Sequence, residues 1–318
     1  MLARFFSRPQ INHPIVLVAI AFATTAWGLA WISPTPQAFD FWGNTIVLPG
    51  IMGYIIGSVI WVSTAFFWQF LGKANQFVKD HFFWPVMLTL TGLLFIPSPN
   101  YLIYCQHLAG FSLLVGMLLY RLNSRQPYFA IFDLGLLMGV WILFLPFSIM
   151  WLPLLWAGIL IFGLTPVRGL MLLIVGILTS LFLTETTLRS IDFFGGTATS
   201  SISDLAQRLE WSITGTPALL GIAMSVILLY IAPEVYRSVS RSTVRKRQMS
   251  AWGIVCLLLL IPLQGFLGTK PTLMAPVLLF SSLFLANQFA FNKSRWREAI
   301  FYIWVVLFFV YPVLWRLV

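Results

Sequence analysis

The chain has 318 residues, of which 59% are hydrophobic and only 9% charged, and its formal net charge is +10. A soluble domain of this length could not cover itself with so few charges, because its exterior would become one continuous apolar patch. The composition excludes a water-soluble globular protein and points to a bilayer, where each helical span takes about 20 mostly apolar residues.

Taken in chain order, the apolar runs predict an all-α fold: a polytopic transmembrane helical bundle of about eleven spans. They lie at 15–32, 48–70, 82–97, 102–120, 128–145, 148–164, 168–185, 216–233, 250–268, 272–291 and 299–315. The first follows Arg4 and Arg8, and no small-x-small site closes it, which predicts a retained anchor with a cytoplasmic N-terminus. From that start, Lys73, Lys79, Arg121, Arg125, Arg168, the basic stretch 237–247 and Lys293, Arg295 and Arg297 all fall on the inner side. Fifteen basic residues then lie inside, and four (Arg189, Arg208, Lys270 and Arg316) lie outside. This is the positive-inside pattern. It accounts for the basic charge without a nucleic-acid partner and predicts a multi-pass protein of the cell inner membrane, with residues 1–318 forming one membrane domain. The stretch 237–247 also attracts anionic lipid headgroups, by about 1 kcal/mol per residue near the surface.

Between the first two spans, the external segment Ala38–Asn44 contains one acid, Asp40. Gly53 and Gly57 in the second span, and Gly135 and Gly139 in the fifth, form small-xxx-small faces that let helix backbones approach closely. Each is an internal seam or an oligomer contact. Pro146 and Pro153 bracket a tight external hairpin between spans five and six. Trp68, Trp151 and Trp252 fall at span ends with several other tryptophans, as an aromatic belt requires. One external loop is long, 186–215. Ile202, Leu205, Ala206, Leu209 and Ile213 recur there at helical spacing, which predicts a short interfacial helix or a lid over the helix ends.

Ionisable groups inside a bilayer mark the first places to look for function. Asp133 lies in the fifth span, about 9 Å from its inner end at 1.5 Å per residue. His107 lies near the outer end of the fourth, so the two cannot form a direct proton relay. Asp133 is either an ion-pair partner of Arg121, Arg125 or Arg168, or the intramembrane polar site of a transporter or flippase. His107, beside Gln106, is either a hydrogen-bonded helix-interface residue or a substrate-binding group. The three histidines, His13, His81 and His107, fall on different sides and cannot converge on one ion, so neither a metal nor a cofactor is expected. Cys105 and Cys256 lie within spans and suggest no disulfide.

On the outer side, a transferase acting on a lipid-linked sugar needs a carboxylate base and a cation beside the phosphate leaving group. Asp40 and Glu185 are the candidate acids, and Arg189 and Arg208 the candidate phosphate-binding residues. Any solvated loop carries the same residue types. The chain has no Gly-rich phosphate loop and no nucleophile elbow.

Residues 70–185 resemble an uncharacterised family of polytopic inner-membrane proteins from Bacteroidota. The likeness rests on Gly72–Asn75, Phe95–Pro97, Tyr120–Arg121 and Ile131–Gly135 with Gly139, and on the opening Met1–Phe6. The segment Gly135–Leu183, with Pro146, Pro153, Pro166 and Arg168, is also similar to a recurrent part of multi-span glycosyltransferases that use polyprenyl-phosphate sugars. That likeness implies a catalytic acid in the first external loop, where Asp40 stands, although the loop is short and lacks the usual second acid. Three functions follow as expectations. The first is an inner-membrane protein of cell-envelope biogenesis, or a subunit of a membrane complex, whose partners are lipids and other membrane-protein subunits. The second is a periplasmic glycosyltransferase with a lipid-linked substrate, and the third a transporter or flippase.

Overall fold

The computed structural model describes residues 37–41, 44–75, 101–121, 127–193, 243–267 and 271–291. The predicted spans 15–32, 82–97, 216–233 and 299–315, together with Arg208, lie outside the described residues.

The first described elements are strands. β1 (Gln37–Phe41) pairs antiparallel with β2 (Asn44–Leu48), Asp40 opposite Thr45 and Phe41 opposite Asn44. The segment expected between the first two spans is therefore a small sheet, and the other described elements are helical. Its aromatic and β-branched residues flank Trp42 and Gly43, a pattern that favours a hairpin over a helix.

The helices follow in order. α1 (Gly50–Ala74) starts after Pro49 and stops at Asn75, whose Nδ2 donates to the Leu71 carbonyl at 2.8 Å. α2 is Tyr101–Arg121 and α3 is Pro127–Phe144. A 3-10 turn, Pro146–Trp151, runs directly into α4 (Leu152–Ile161), with a proline in the first turn of each. That placement suits a residue that lacks an N–H. α4 ends at Gly163, which has φ 82°, a left-handed conformation natural to glycine. α5 is Pro166–Phe193, α6 Val244–Leu267 and α7 Pro271–Phe291.

Within these elements, Gly50–Ala74, Tyr101–Leu119 and Val167–Thr187 are long and apolar enough to cross a membrane, and Tyr128–Phe144, Pro146–Ile161 and Ala275–Phe284 are shorter apolar helices. The predicted boundaries hold within a few residues, except at two places. α6 begins at Val244 instead of 250, and α5 continues beyond residue 185 to Phe193. The first eight residues expected in the external loop are therefore helical. Their polar groups are absorbed locally. The hydroxyls of Thr184, Thr186, Thr187 and Ser190 each donate to a carbonyl one turn back. Glu185 and Arg189, four residues apart, add a favourably oriented pair.

Close contacts fix the helix directions. Gly57 lies against Tyr101 and Cys105, and Gly116 against Phe67 and Leu71, so α1 and α2 run parallel. Gly135 faces Leu173 and Gly176, and Gly139 faces Ile177 and Ser180, so α3 and α5 also run parallel. The Gly135/Gly139 face is thus an internal seam. Antiparallel to α4, α6 places Gln248 at the Ile161 carbonyl and Trp252 at the Leu154 carbonyl. Helices α1, α2 and α4 point one way, and α3, α5 and α6 point the other.

The core is aromatic. Phe280 of α7 sits among Trp68 of α1, Phe111 of α2 and Trp252 of α6, with ring centroids 5.6, 6.1 and 5.4 Å away in edge-on geometry. Phe111 continues the cluster to Trp151 at 5.3 Å. Trp68, Trp151 and Trp252 are fully buried, so they do not belong to an interfacial belt. Two of them explain why: Trp68 Nε1 donates to the Leu279 carbonyl and Trp252 Nε1 to the Leu154 carbonyl, each at 2.7 Å. A buried indole needs such an acceptor. The outward faces are apolar as well, notably Ile51, Ile55 and Val59 of α1 and Met171, Val175 and Leu178 of α5.

Candidate functional site

Two ends of the bundle differ in chemistry. One carries the β-hairpin, which lies against α1 and α2, the start of both helices and the C-terminus of α5. The opposite end gathers basic residues: Lys73 near the end of α1, Arg121 closing α2, Arg168 opening α5, and Lys246 and Arg247 opening α6.

The predicted site residues divide between these ends. Asp40 is on β1, in register with Thr45. His107 lies six residues into α2 from the hairpin end and is buried. Glu185 and Arg189 are on the hairpin-end part of α5. Asp133, half-buried, belongs to the other half, six residues into α3 from its basic-end start. The structure therefore keeps His107 and Asp133 apart, as their opposed helix directions predict.

The described elements that carry the hairpin-end groups have different neighbours. β1 lies against α1 and α2, whereas the principal neighbours of α5 are α3 and α4. Glu185 is engaged by Arg189, Nε to Oε1 at 3.0 Å, with the arginine side chain 78% exposed. With its cation so open to solvent, the pair is worth about 0–1 kcal/mol. It is helix-surface chemistry. At the basic end, the Arg168 guanidinium stacks 4.0 Å above the Tyr128 ring, and the Tyr128 hydroxyl meets Thr165 Oγ1 at 3.0 Å. These contacts clamp the start of α5 to the start of α3.

His107 has the most constrained environment. Its Nδ1 is 2.9 Å from the Ile103 carbonyl, which can only accept, so Nδ1 carries the proton and donates. The ring meets Trp151 edge-on, centroids 5.8 Å apart at 90°. That geometry fits the helix-interface role, with one exception. Nε2, left as the acceptor, has no hydrogen-bond partner among the described residues.

Nearby residues that sequence reasoning did not single out share this condition. Ser148 Oγ, in the 3-10 turn, is fully buried and unpartnered, and so are Gln106 Oε1 and Trp141 Nε1. A single serine in an apolar, proline-bounded turn carries no sequence signal. Only its complete burial distinguishes it.

Among the described residues no group of three or more His, Cys, Asp or Glu is placed to hold a metal. Cys105 and Cys256 are buried free thiols. Comparison of the chain with family models, with curated proteins and with solved structures gives no match.

Proposed function

We propose that this is a multi-pass inner-membrane protein with a non-catalytic role in cell-envelope biogenesis, working as a helical component whose outward faces meet lipid and other membrane proteins. One observation supports the reading: among the described residues, Glu185, His107 and Asp133 stay apart. Glu185 is engaged with Arg189, His107 is enclosed within the bundle, and Asp133 sits toward the opposite end. A catalytic constellation needs its groups within hydrogen-bond reach of one reacting atom.

The helix directions support the larger span count. α1 and α2 are parallel, and α5 and α6 share a direction, so each pair needs a return crossing between its members. The apolar runs 82–97 and 216–233 are suited to supply them. The collected basic residues at one end support a cytoplasmic assignment for that end.

Single cysteines in a Cys105→Ser/Cys256→Ser background test the arrangement. With an impermeant maleimide on intact spheroplasts, Asn44→Cys and Arg189→Cys should react, whereas Lys73→Cys and Arg247→Cys should react only after lysis. The reverse pattern would overturn the orientation. For the role itself, Asp40→Asn should restore the envelope phenotype of a deletion strain to the same extent as the wild type.

A second reading rests on Asp40. Strand pairing and the contact of β1 with α1 and α2 give that residue a fixed platform at the His107 end. A periplasmic transferase using a lipid-linked sugar would place its base there. Loss of complementation by Asp40→Asn at normal protein abundance would make that reading the leading one.

A further inference from the structure

Among the described residues seven buried side-chain polar atoms lack a hydrogen-bond partner, and four of them belong to one neighbourhood: Gln106 Oε1, His107 Nε2, Trp141 Nε1 and Ser148 Oγ. Such concentration is informative. Each unsatisfied buried group carries an uncompensated desolvation cost, so a packed core would place apolar atoms there unless something else met those groups.

A ring contact places His107 against the turn, and spacing within the turn relates Ser148 to the same ring. Trp151 receives the His107 ring at 5.8 Å, edge-on. Ser148 precedes Trp151 by three residues within the 3-10 turn Pro146–Trp151, and side chains at that spacing eclipse one another on one face. The turn thus presents Ser148 and Trp151 together toward α2, where His107 and Phe111 lie one turn apart. On the adjoining face of α2, Gly110 sits directly against the Trp141 indole, and Gln106 is one turn before it. The Gln106 amide oxygen, which accepts, and the Trp141 indole N–H, which donates, are both unmatched.

From this we infer that the bundle holds a binding site for internal water between α2 and the Pro146–Trp151 turn, with one molecule linking His107 and Ser148. The donor and acceptor inventory selects the ligand. His107 Nε2 is a pure acceptor, because Nδ1 holds the proton for Ile103. Ser148 Oγ both donates and accepts. Water donates to Nε2 and exchanges the other type of hydrogen bond with the hydroxyl, meeting both groups without introducing charge. A buried water typically makes two to four such bonds to groups that would otherwise be orphaned. An ion would bring charge into an apolar surround of Trp151, Phe111 and Trp141, at much greater cost. The water fixes the angle at which the turn meets α2, and so the entry into α4.

The test combines a high-resolution structure of the full chain in lipid nanodiscs with thermal midpoints of the wild type, Ser148→Ala, His107→Phe and the double variant. The site predicts one solvent peak within hydrogen-bond distance of both His107 Nε2 and Ser148 Oγ, lost in Ser148→Ala. It also predicts a downward midpoint shift for Ser148→Ala in the wild-type background that largely disappears in the His107→Phe background, because the second substitution removes a molecule already gone. A dry contact with no solvent peak would overturn the inference. So would a lipid or detergent atom at that position, or midpoint shifts that simply add. Should His107→Phe fail to fold, the presence of the peak in the wild type and its loss in Ser148→Ala decide the question alone.

Discussion

The α3–α5 seam and the aromatic core around Phe280 solve the same problem in opposite ways. At the seam, glycine brings backbone onto backbone. A Cβ on Gly176 would meet the Phe132 carbonyl, the Gly135 Cα and the Leu136 nitrogen, and one on Gly135 would meet the Leu173 carbonyl. At the core, four helices stand apart and large rings fill the space between them, two of their indole N–H groups reaching carbonyls on other helices. In a bilayer, where lipid is as apolar as leucine, burial alone gives little drive for association. Close backbone contact and interhelical hydrogen bonds are the two resources left, and each region relies mainly on one.

The largest expected effect is in the core. Trp252→Ala removes a fully buried ring that packs on Phe280 and Phe162 and lies against Gly158. It also strips the Leu154 carbonyl of an indole donor. A loss of about 3–5 kcal/mol is expected from the cavity alone, read as a fall in the thermal midpoint of the purified protein, with little folded protein recovered. A shift no larger than that of a surface variant would mean that the aromatic cluster is not the structural centre.

Next comes Gly176→Ala at the seam. One added methyl must displace backbone, which cannot swing aside as a side chain does, and about 1–3 kcal/mol is the usual cost of overpacking. The same substitution at Gly169, where the nearest atom is a methyl of Ile159, should be milder. Equal midpoint shifts at both positions would remove the distinction between a backbone seam and ordinary packing.

Trp68→Phe then isolates the hydrogen-bond part of the core. The ring remains, but the bond to the Leu279 carbonyl is lost. That carbonyl lies inside α7 and also accepts from the Ser282 hydroxyl at 2.7 Å, so the substitution removes one donor without leaving the oxygen bare. A destabilisation of about 1–2 kcal/mol is expected, and differential scanning fluorimetry in detergent measures it.

Much of this arrangement was legible in the residues. Apolar length located the described spans, and the small-xxx-small spacing of Gly135 and Gly139 named the seam without naming its partner. That partner, Gly176 with Ser180, lies in α5 and forms its own small-xxx-small pair, yet no property of one helix says which other helix it will meet. The hairpin 37–48 was hidden because a short segment between two apolar runs reads as loop when strands have only five residues each. Trp68, Trp151 and Trp252 looked like belt residues from their places in the sequence, since position along a span cannot tell which way an indole faces. For the candidate site, sequence placed His107 and Asp133 at opposite ends correctly. Glu185, expected at the mouth of an external loop, stands instead within a continuing helix, with Arg189 as its i,i+4 partner.

That last point yields the smallest effect and the sharpest contrast with the core. Arg189→Ala removes an ion pair whose arginine is 78% exposed, and whose cost of ordering a long side chain offsets most of the Coulomb attraction. The midpoint should move by less than about 1 kcal/mol equivalent. Raising the salt concentration should shrink the difference between wild type and variant further, because exposed charges are screened. Neither Trp252→Ala nor Gly176→Ala should show that salt dependence, since packing against a ring or a carbonyl has no net charge to screen. If Arg189→Ala instead cost as much as Trp68→Phe, and did so independently of salt, the C-terminal turns of α5 would have to be packed against another part of the protein or a partner. The helix end would then belong with the core.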